Sequence, residues 1–168
     1  TGTYNAALGY SALRCNVVGK WNIGIGACAL YCSTSGCYNT AMGHQALYSN
    51  RTGQYNVAIG QQALFSNIFG NYNNALGLNA LNKNVAGCWN NAIGMYTLFN
   101  NTSGNYNNAF GYGALCDNTT GSYNVAIGGS AMWKNITGSY NNVIGRYALY
   151  YNTTGGYNQA IGDYALYC

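Results

Sequence analysis

One spacing constrains this sequence more than any other feature: a glycine recurs every 17 residues, ten times, without insertion or deletion. Counted from that glycine, the unit reads G-x-Y-N-x-A-x-G-x-x-A-L-x-x-N-x-T, and the residues at one position of successive units form a column. The glycines of column one are Gly2, Gly19, Gly36, Gly53, Gly70, Gly87, Gly104, Gly121, Gly138 and Gly155. Because the phase never breaks, residues 1–168 are predicted to be a single uninterrupted repeat array without separate domains.

The length of the unit predicts the fold. A 17-residue period is too short for two packed helices, but it suits one coil of a β-solenoid. Glycine also recurs too often for a stable helix. We therefore predict an all-β protein, a parallel β-solenoid or β-roll of ten 17-residue coils. In each coil, Y-N-x-A-x-G predicts a strand of about five residues and x-A-L-x-x predicts a second. The glycines of columns one and eight are predicted to turn with positive φ.

Stacked coils turn every column into a ladder of like residues. We expect the apolar residues of column seven and the leucines of column twelve to form the core. The invariant asparagines of column four are expected to bond amide to amide along the axis, as stacked asparagines do in cross-β assemblies. They are Asn5, Asn22, Asn39, Asn56, Asn73, Asn90, Asn107, Asn124, Asn141 and Asn158. The tyrosines and tryptophans of column three are predicted to form a packing ladder.

Two features favour self-association. Positions six and seven are both apolar, although adjacent strand residues face opposite sides. A strand that is apolar on both faces is normally covered on both, so a partner chain is expected on one of them. The first and last units are ordinary repeats, whereas natural solenoids have atypical capping units. Either caps lie outside this sequence or copies of the chain stack end to end into a filament.

The repeated Y-N-x-A-x-G-x-x-A-L motif, as in Tyr55–Leu64 (YNVAIGQQAL) and Tyr123–Met132 (YNVAIGGSAM), resembles the head repeats of trimeric autotransporter adhesins. It is also similar to repeats in tail-fibre proteins of bacteriophages and large viruses. The resemblance implies a left-handed parallel β-roll displayed outside the cell and used for attachment. It also implies a homotrimer as an alternative to the head-to-tail filament.

Seven cysteines favour an oxidising, extracellular setting. Cys15 and Cys32 share column fourteen in adjacent coils, so their Cα separation of about 4.8 Å is compatible with a disulfide. Cys168 lies in the same column and would meet Cys15 of the next copy in a head-to-tail stack. The two pairings compete for Cys15, and both stay open.

Asparagine also dominates column fifteen, where N-x-S/T sequons recur on one edge of the coil. Sequons predict surface loops that carry N-glycans in a secreted protein. The alternative is that Asn-x-Thr is simply favourable turn chemistry. The candidates are Asn50, Asn101, Asn118, Asn135 and Asn152, with an overlapping sequon at Asn100.

Little in the sequence points to catalysis or to a cofactor. Charged residues make up 5% of the chain and the net charge is only +4, which is low for a nucleic-acid binder. No apolar run is long enough to span a membrane. Cys28, Cys32, Cys37 and His44 form the one metal-like cluster, but their spacing matches no strong zinc signature. We predict no catalytic residues, no metal site and no cofactor.

Three functional hypotheses remain. The first is a structural module of an extracellular fibre, self-assembling and stabilised by disulfides. The second is an adhesin or viral receptor-binding fibre on a cell or virion surface. In that hypothesis, the aromatic rings of column thirteen would stack on glycans or on a host surface. These are Tyr31, Tyr48, Phe65, Phe99, Trp133, Tyr150 and Tyr167. The third, ice binding, requires a flat threonine array, and column sixteen is interrupted by Val, Ile and Arg.

Overall fold

A computed structural model describes residues 2–168 as ten three-residue strands connected by turns, with no helix in that range. Each strand occupies positions five to seven of its unit, so it is shorter than predicted. The strands are β1 (Ala6–Leu8), β2 (Ile23–Ile25), β3 (Thr40–Met42), β4 (Val57–Ile59), β5 (Asn74–Leu76), β6 (Asn91–Ile93), β7 (Asn108–Phe110), β8 (Val125–Ile127), β9 (Asn142–Ile144) and β10 (Gln159–Ile161).

The ten strands form one parallel sheet in chain order, from β1 at one edge to β10 at the other. Ala58 of β4 pairs with Ala75 of β5, and the same offset of one unit recurs at every strand pair. Each unit therefore winds once around a common axis and returns beside its predecessor. The predicted all-β parallel β-solenoid with one 17-residue unit per turn is confirmed.

The predicted second strand is wrong. Positions nine to fourteen run as turns, because residues at positions ten and twelve have left-handed backbone conformations, such as Gln62 (φ 55°) and Leu64 (φ 52°). An extended strand requires strongly negative φ. The segment still bonds along the axis: the Leu64 N–H donates to the Ala80 carbonyl at 3.0 Å. Axial hydrogen bonding thus extends well beyond the strands.

Columns one and eight require glycine for different reasons. Column eight has positive φ throughout, between 117° at Gly162 and 140° at Gly145, as predicted. Column one does not, so its predicted positive φ is wrong. Those glycines are required by close approach instead: a Cβ at Gly53 would overlap the Asn50 side chain and lie 2.5 Å from the Gly70 carbonyl oxygen.

The core differs from the prediction in one column. In β6 the middle residue Ala92 is fully buried, whereas Ile93 points outward and stays 40% exposed. Column seven therefore lies outside the core. A coil of 17 residues encloses a narrow interior that the leucines of column twelve largely fill, leaving room beside them for alanine methyls. The buried members of column twelve are Leu30, Leu47, Leu64, Leu81, Leu98, Leu115, Met132 and Leu149.

Candidate functional site

The asparagines of column four form a buried hydrogen-bonded ladder. The backbone N–H and the Nδ2 of Asn56 both donate to Asn39 Oδ1, at 3.0 and 3.1 Å. Asn56 Nδ2 also donates to the Gly70 carbonyl at 2.9 Å. The amide-to-amide bonds expected from the sequence are therefore present, and they occupy the groups that any ligand would need. The same three bonds recur at Asn39, Asn73, Asn90, Asn107, Asn124 and Asn141.

The sequon asparagines of column fifteen form a second interior ladder. Asn101 Nδ2 donates to Asn84 Oδ1 at 2.8 Å and to the Gly104 carbonyl at 3.0 Å. Both amide hydrogens are thus in use, and an attached glycan would replace one of them inside the coil. The predicted surface position of these sequons is wrong. Asn50, Asn101, Asn118 and Asn135 are fully buried, and Asn152, partly buried in the ninth unit, makes the same two bonds.

This second ladder has one defect. Ser33 replaces asparagine in column fifteen, and its shorter side chain does not reach the neighbouring coil. Asn16 Oδ1 and Ser33 Oγ are consequently buried without a hydrogen-bond partner. The overlapping sequon at Asn100 lies outside the ladder, in column fourteen, where its Nδ2 donates to Asp117 Oδ1 at 3.2 Å.

All seven cysteines are free thiols in the structure, Cys15, Cys32 and Cys168 among them. The structure therefore contains no Cys15–Cys32 disulfide, one of the two pairings that the sequence left open. The pairing of Cys168 with Cys15 of another copy stays a prediction.

Two of the thiols have raised pKa values. Burial raises the pKa of Cys116 to about 11, and the neighbouring Asp117 carboxylate acts in the same direction. The pKa of Cys32 is also raised, first by burial and then by the adjacent Cys15, while Arg51 lowers it. Raised values disfavour the thiolate, which is the reactive form. Neither thiol has the environment of an activated nucleophile.

The two carboxylates lie apart and each has a basic partner one coil away. Asp117 Oδ2 accepts from Lys134 Nζ at 3.0 Å, and Asp163 Oδ2 lies 3.7 Å from Arg146 Nε. His44, in column nine, is exposed. Within residues 2–168, no group of three His, Cys, Asp or Glu side chains is placed to hold a metal ion, and no pocket is found.

The rings of column three form a continuous stack on the surface. Tyr55 lies 4.8 Å from Tyr38 and 4.9 Å from Tyr72, centroid to centroid, with ring planes within 4°. The stack runs from Tyr4 to Tyr157 and includes both tryptophans of the column. Each interior ring covers its neighbours' faces, so its edge is what meets solvent. Burial, followed by repulsion from the neighbouring phenolates, raises the pKa of Tyr55.

Some of the column-thirteen rings expected to stack on glycans cover one another. Tyr48 stacks on Tyr31 at 5.1 Å and on Phe65 at 5.2 Å, so both of its faces are occupied. The run ends at Asn82, and Phe99 stacks on no ring of its column. Glycan binding by these rings stays a prediction.

The outward side of the sheet is an uncharged surface that repeats along the whole stack. We define the outer sheet face as columns three, five and seven, which contain no Asp, Glu, Lys, Arg or His. Column seven contributes large apolar side chains that are 39–41% exposed at Met42, Ile59, Ile93, Ile127 and Ile144. The sequence predicted a strand that is apolar on both sides. The large side chains of column seven were expected in the core, but they face outward.

Comparisons with protein-family models, with curated proteins and with solved structures found no match. The similarity to adhesin-head and tail-fibre repeats consequently rests on the sequence motif alone and stays a prediction. Among residues 2–168 there is no helix with the length and hydropathy that crossing a membrane requires.

Proposed function

We propose that the chain is a structural module of a fibre, in which copies stack head to tail and continue the sheet and the ladders of columns three and four. The observation that carries this proposal is that every interior coil offers the next coil the same complementary set of groups. A further coil can therefore be added in the same way, whether it belongs to the same chain or to another copy.

Backward bonds follow a fixed rule in the interior. The N–H groups at positions three, eight and ten donate to the carbonyls at positions two, seven and nine of the preceding coil. Examples are Tyr72 N–H to the Gln54 carbonyl at 3.0 Å and Gly77 N–H to the Ile59 carbonyl at 2.8 Å. In the first coil the corresponding donors lack such acceptors among residues 2–168: Tyr4, Gly9 and Ser11. The last coil offers the matching free carbonyls: Gly156, Ile161 and Asp163.

Forward bonds supply a reciprocal set. The N–H groups at positions five, twelve and fourteen donate to the carbonyls at positions four, eleven and thirteen of the following coil, as in Ser66 N–H to the Asn82 carbonyl at 2.9 Å. The last coil holds the unused donors of this set: Gln159, Leu166 and Cys168. The first coil holds the unused acceptors: Asn5, Ala12 and Arg14. A copy placed one coil beyond β10 would satisfy both sets.

The side-chain ladders are open at the same places. Tyr4 is 71% exposed and Tyr157 is 80% exposed, whereas the column-three rings between them are 40–50% exposed. In a head-to-tail stack Tyr157 would cover the free face of Tyr4. The Oδ1 of Asn158 would receive the N–H of Asn5, as Asn141 Oδ1 receives the N–H of Asn158 at 2.9 Å.

Such a contact joins two different faces by a step along the axis, so it does not close into a ring. Contacts of this kind generate filaments. Each added copy would lengthen the rod by roughly 48 Å, ten coils at about 4.8 Å each. The biochemical role that follows is mechanical: a stiff spacer or fibre shaft held together by backbone, amide and aromatic ladders.

Filament growth tests the proposal directly. Negative-stain images and sedimentation of the purified chain should show rods that lengthen with concentration. Gly162→Ala should stop growth, because a Cβ at Gly162 meets nothing within 4 Å in its own chain and projects from the last coil toward the next. Gly129→Ala is the matched control, since its Cβ would contact only the Arg146 side chain at 4.0 Å.

Cross-linking identifies the contact. Unlabelled and isotope-labelled chains are mixed and treated with a short bis-maleimide, and Cys15–Cys168 peptides are sought by mass spectrometry. Within one chain these residues are nine coils apart, roughly 43 Å, so a mixed-isotope peptide reports two copies. A chain that remains single at all concentrations, or Gly162→Ala rods of unchanged length with circular dichroism of a folded solenoid, would contradict the proposal.

The setting we propose for such a fibre is outside the cell or on a virion surface, which the seven cysteines support. Thiol labelling of the native material under denaturing, non-reducing conditions tests it. Intermolecular disulfides, first of all at Cys168, are the expected result. Seven labelled thiols in every chain would argue for a reducing compartment.

A further inference from the structure

We propose that the outer sheet face is an interface at which two copies of the chain pair side by side, face to face. This pairing is lateral and separate from head-to-tail stacking. It does not depend on that stacking and joins whole rods rather than their ends.

Exposure on this face is unusual for its side chains. Each strand turns one small residue inward and two residues outward, and the outward residue of column seven is Leu, Ile, Met or Phe in every coil. A row of large apolar side chains along the whole rod is more than a monomeric surface normally exposes. Residues 2–168 provide nothing to cover it, because the chain winds only once per coil.

The size of the face matches that of a specific interface. Ten coils at about 4.8 Å give a length of roughly 48 Å, and four residue steps from column three to column seven give a width of about 13 Å. The product is roughly 600 Å² per copy, or about 1,200 Å² for a pair, which is the lower end of the range for stable protein–protein interfaces.

Spacing and charge together identify the occupant as a second copy. The ridges of column seven repeat once per coil along the whole length, so a mating surface must have the same repeat to fill every gap. Another copy has this repeat by construction. The face carries no charged residue in any of its columns, so two such faces can approach without burying an unpaired charge. A two-fold axis perpendicular to the rod would make the contact self-complementary and closed.

The test is sedimentation of the full chain and of Gly162→Ala, in which head-to-tail growth is blocked and lateral pairing is not. Gly162→Ala should form a two-chain species. Ile93→Lys should raise its dissociation constant by at least about tenfold, because the ammonium would be buried in the interface. Ile127→Lys, two coils away, should do the same. Both residues are exposed in the single chain, so folding should be retained.

The matched control is Ser49→Lys, which adds the same charge in column fourteen, outside the outer sheet face. It should leave the dissociation constant unchanged. In images of the wild-type protein, rods should be two coils wide, and in Ile93→Lys one coil wide. A single-chain or three-chain species for Gly162→Ala, or equal dissociation constants for Ile93→Lys and Ser49→Lys, overturns the pairing while leaving head-to-tail stacking intact.

Discussion

The inner and outer walls of each coil obey different rules, although they alternate residue by residue along one strand. Column four, inside, is asparagine in all ten units, and column six, also inside, is alanine in eight. Column five, between them and facing outward, holds Ala, Ile, Thr, Val, Asn and Gln. Inside, side-chain volume and hydrogen-bond geometry fix the residue. Outside, only compatibility with a strand and the absence of charge are required.

The largest expected difference is between an interior coil and the last one. Gly60→Ala should prevent the solenoid from folding, because the new Cβ would lie 2.5 Å from the Gly77 carbonyl oxygen at a φ of 132°. Gly162→Ala carries similar backbone strain at a φ of 117° but meets nothing within 4 Å. Circular dichroism should show an unfolded Gly60→Ala chain and a folded Gly162→Ala chain. Two equally folded chains would mean that neighbouring coils are farther apart than described.

Two neighbouring asparagines, Asn90 on the inner wall and Asn91 on the outer wall, test the difference between the walls. Asn90→Ala should lower the free energy of unfolding by about 3 kcal/mol, since it leaves the buried N–H of Asn107 without its acceptor, 3.0 Å away, and opens a cavity. Asn91→Ala, one residue further, should cost less than about 0.5 kcal/mol, because water replaces its outward bonds. Urea titration measures both.

Hydrogen exchange gives a local readout of the same pair. In Asn90→Ala the Asn107 amide should exchange much faster, whereas Asn91→Ala should leave its protection intact. Equal loss of stability in the two variants would show that the column-five ladder is as protected from water as column four.

Alkaline pH tests the burial of the Cys116 thiol. Burial raises the pKa of Cys116 from 9.0 to about 11, so the thiol favours folding most below pH 9, and that contribution is lost as the pH rises through 11. Between pH 9 and pH 11 the wild type should lose about 2 kcal/mol relative to Cys116→Ala. Tyrosine titration is common to both proteins and cancels. Ser66→Ala, which removes no titrating group, should track the wild type throughout.

Periodicity was sufficient to predict the solenoid, the pairing of like positions and the column-four amide ladder, because a backbone that repeats every unit must stack like on like. It did not settle which side of a strand faces inward. Ala58 and Ile59 are both apolar, and hydrophobicity alone favours the larger residue for the core. Uniformity was the usable signal: close-packed interiors demand constant volume, and column six is nearly constant whereas column seven varies in size.

Backbone conformation was less accessible from the sequence. Leu64 and Tyr55 adopt left-handed φ values of 52° and 55°, which cost a non-glycine residue about 1–2 kcal/mol and are not indicated by residue type. The surface position predicted for column fifteen was wrong for a different reason. The pattern Asn-x-Thr is typical of surface turns, but near-invariance of its asparagine, comparable to that of column four, already indicated an interior ladder.

The break at Ser33 in the column-fifteen ladder gives the prediction with the smallest effect, an increase in stability. Ser33→Asn should raise the free energy of unfolding by about 1 kcal/mol, because the new amide would donate to Asn16 Oδ1, which is now buried without a partner, and would accept from Asn50, while the unpartnered Ser33 Oγ is removed. The control Ser66→Asn, in outward column fourteen, should have no effect. Thermal unfolding measures both, with hydrogen exchange of the second and third coils as the local readout. Asparagine fits this site in the following units, with glycine three residues later in each. A stability loss in Ser33→Asn would therefore mean that the amide bonds of column fifteen do not stabilise the stack. They would form only because the backbone places the asparagines at that spacing.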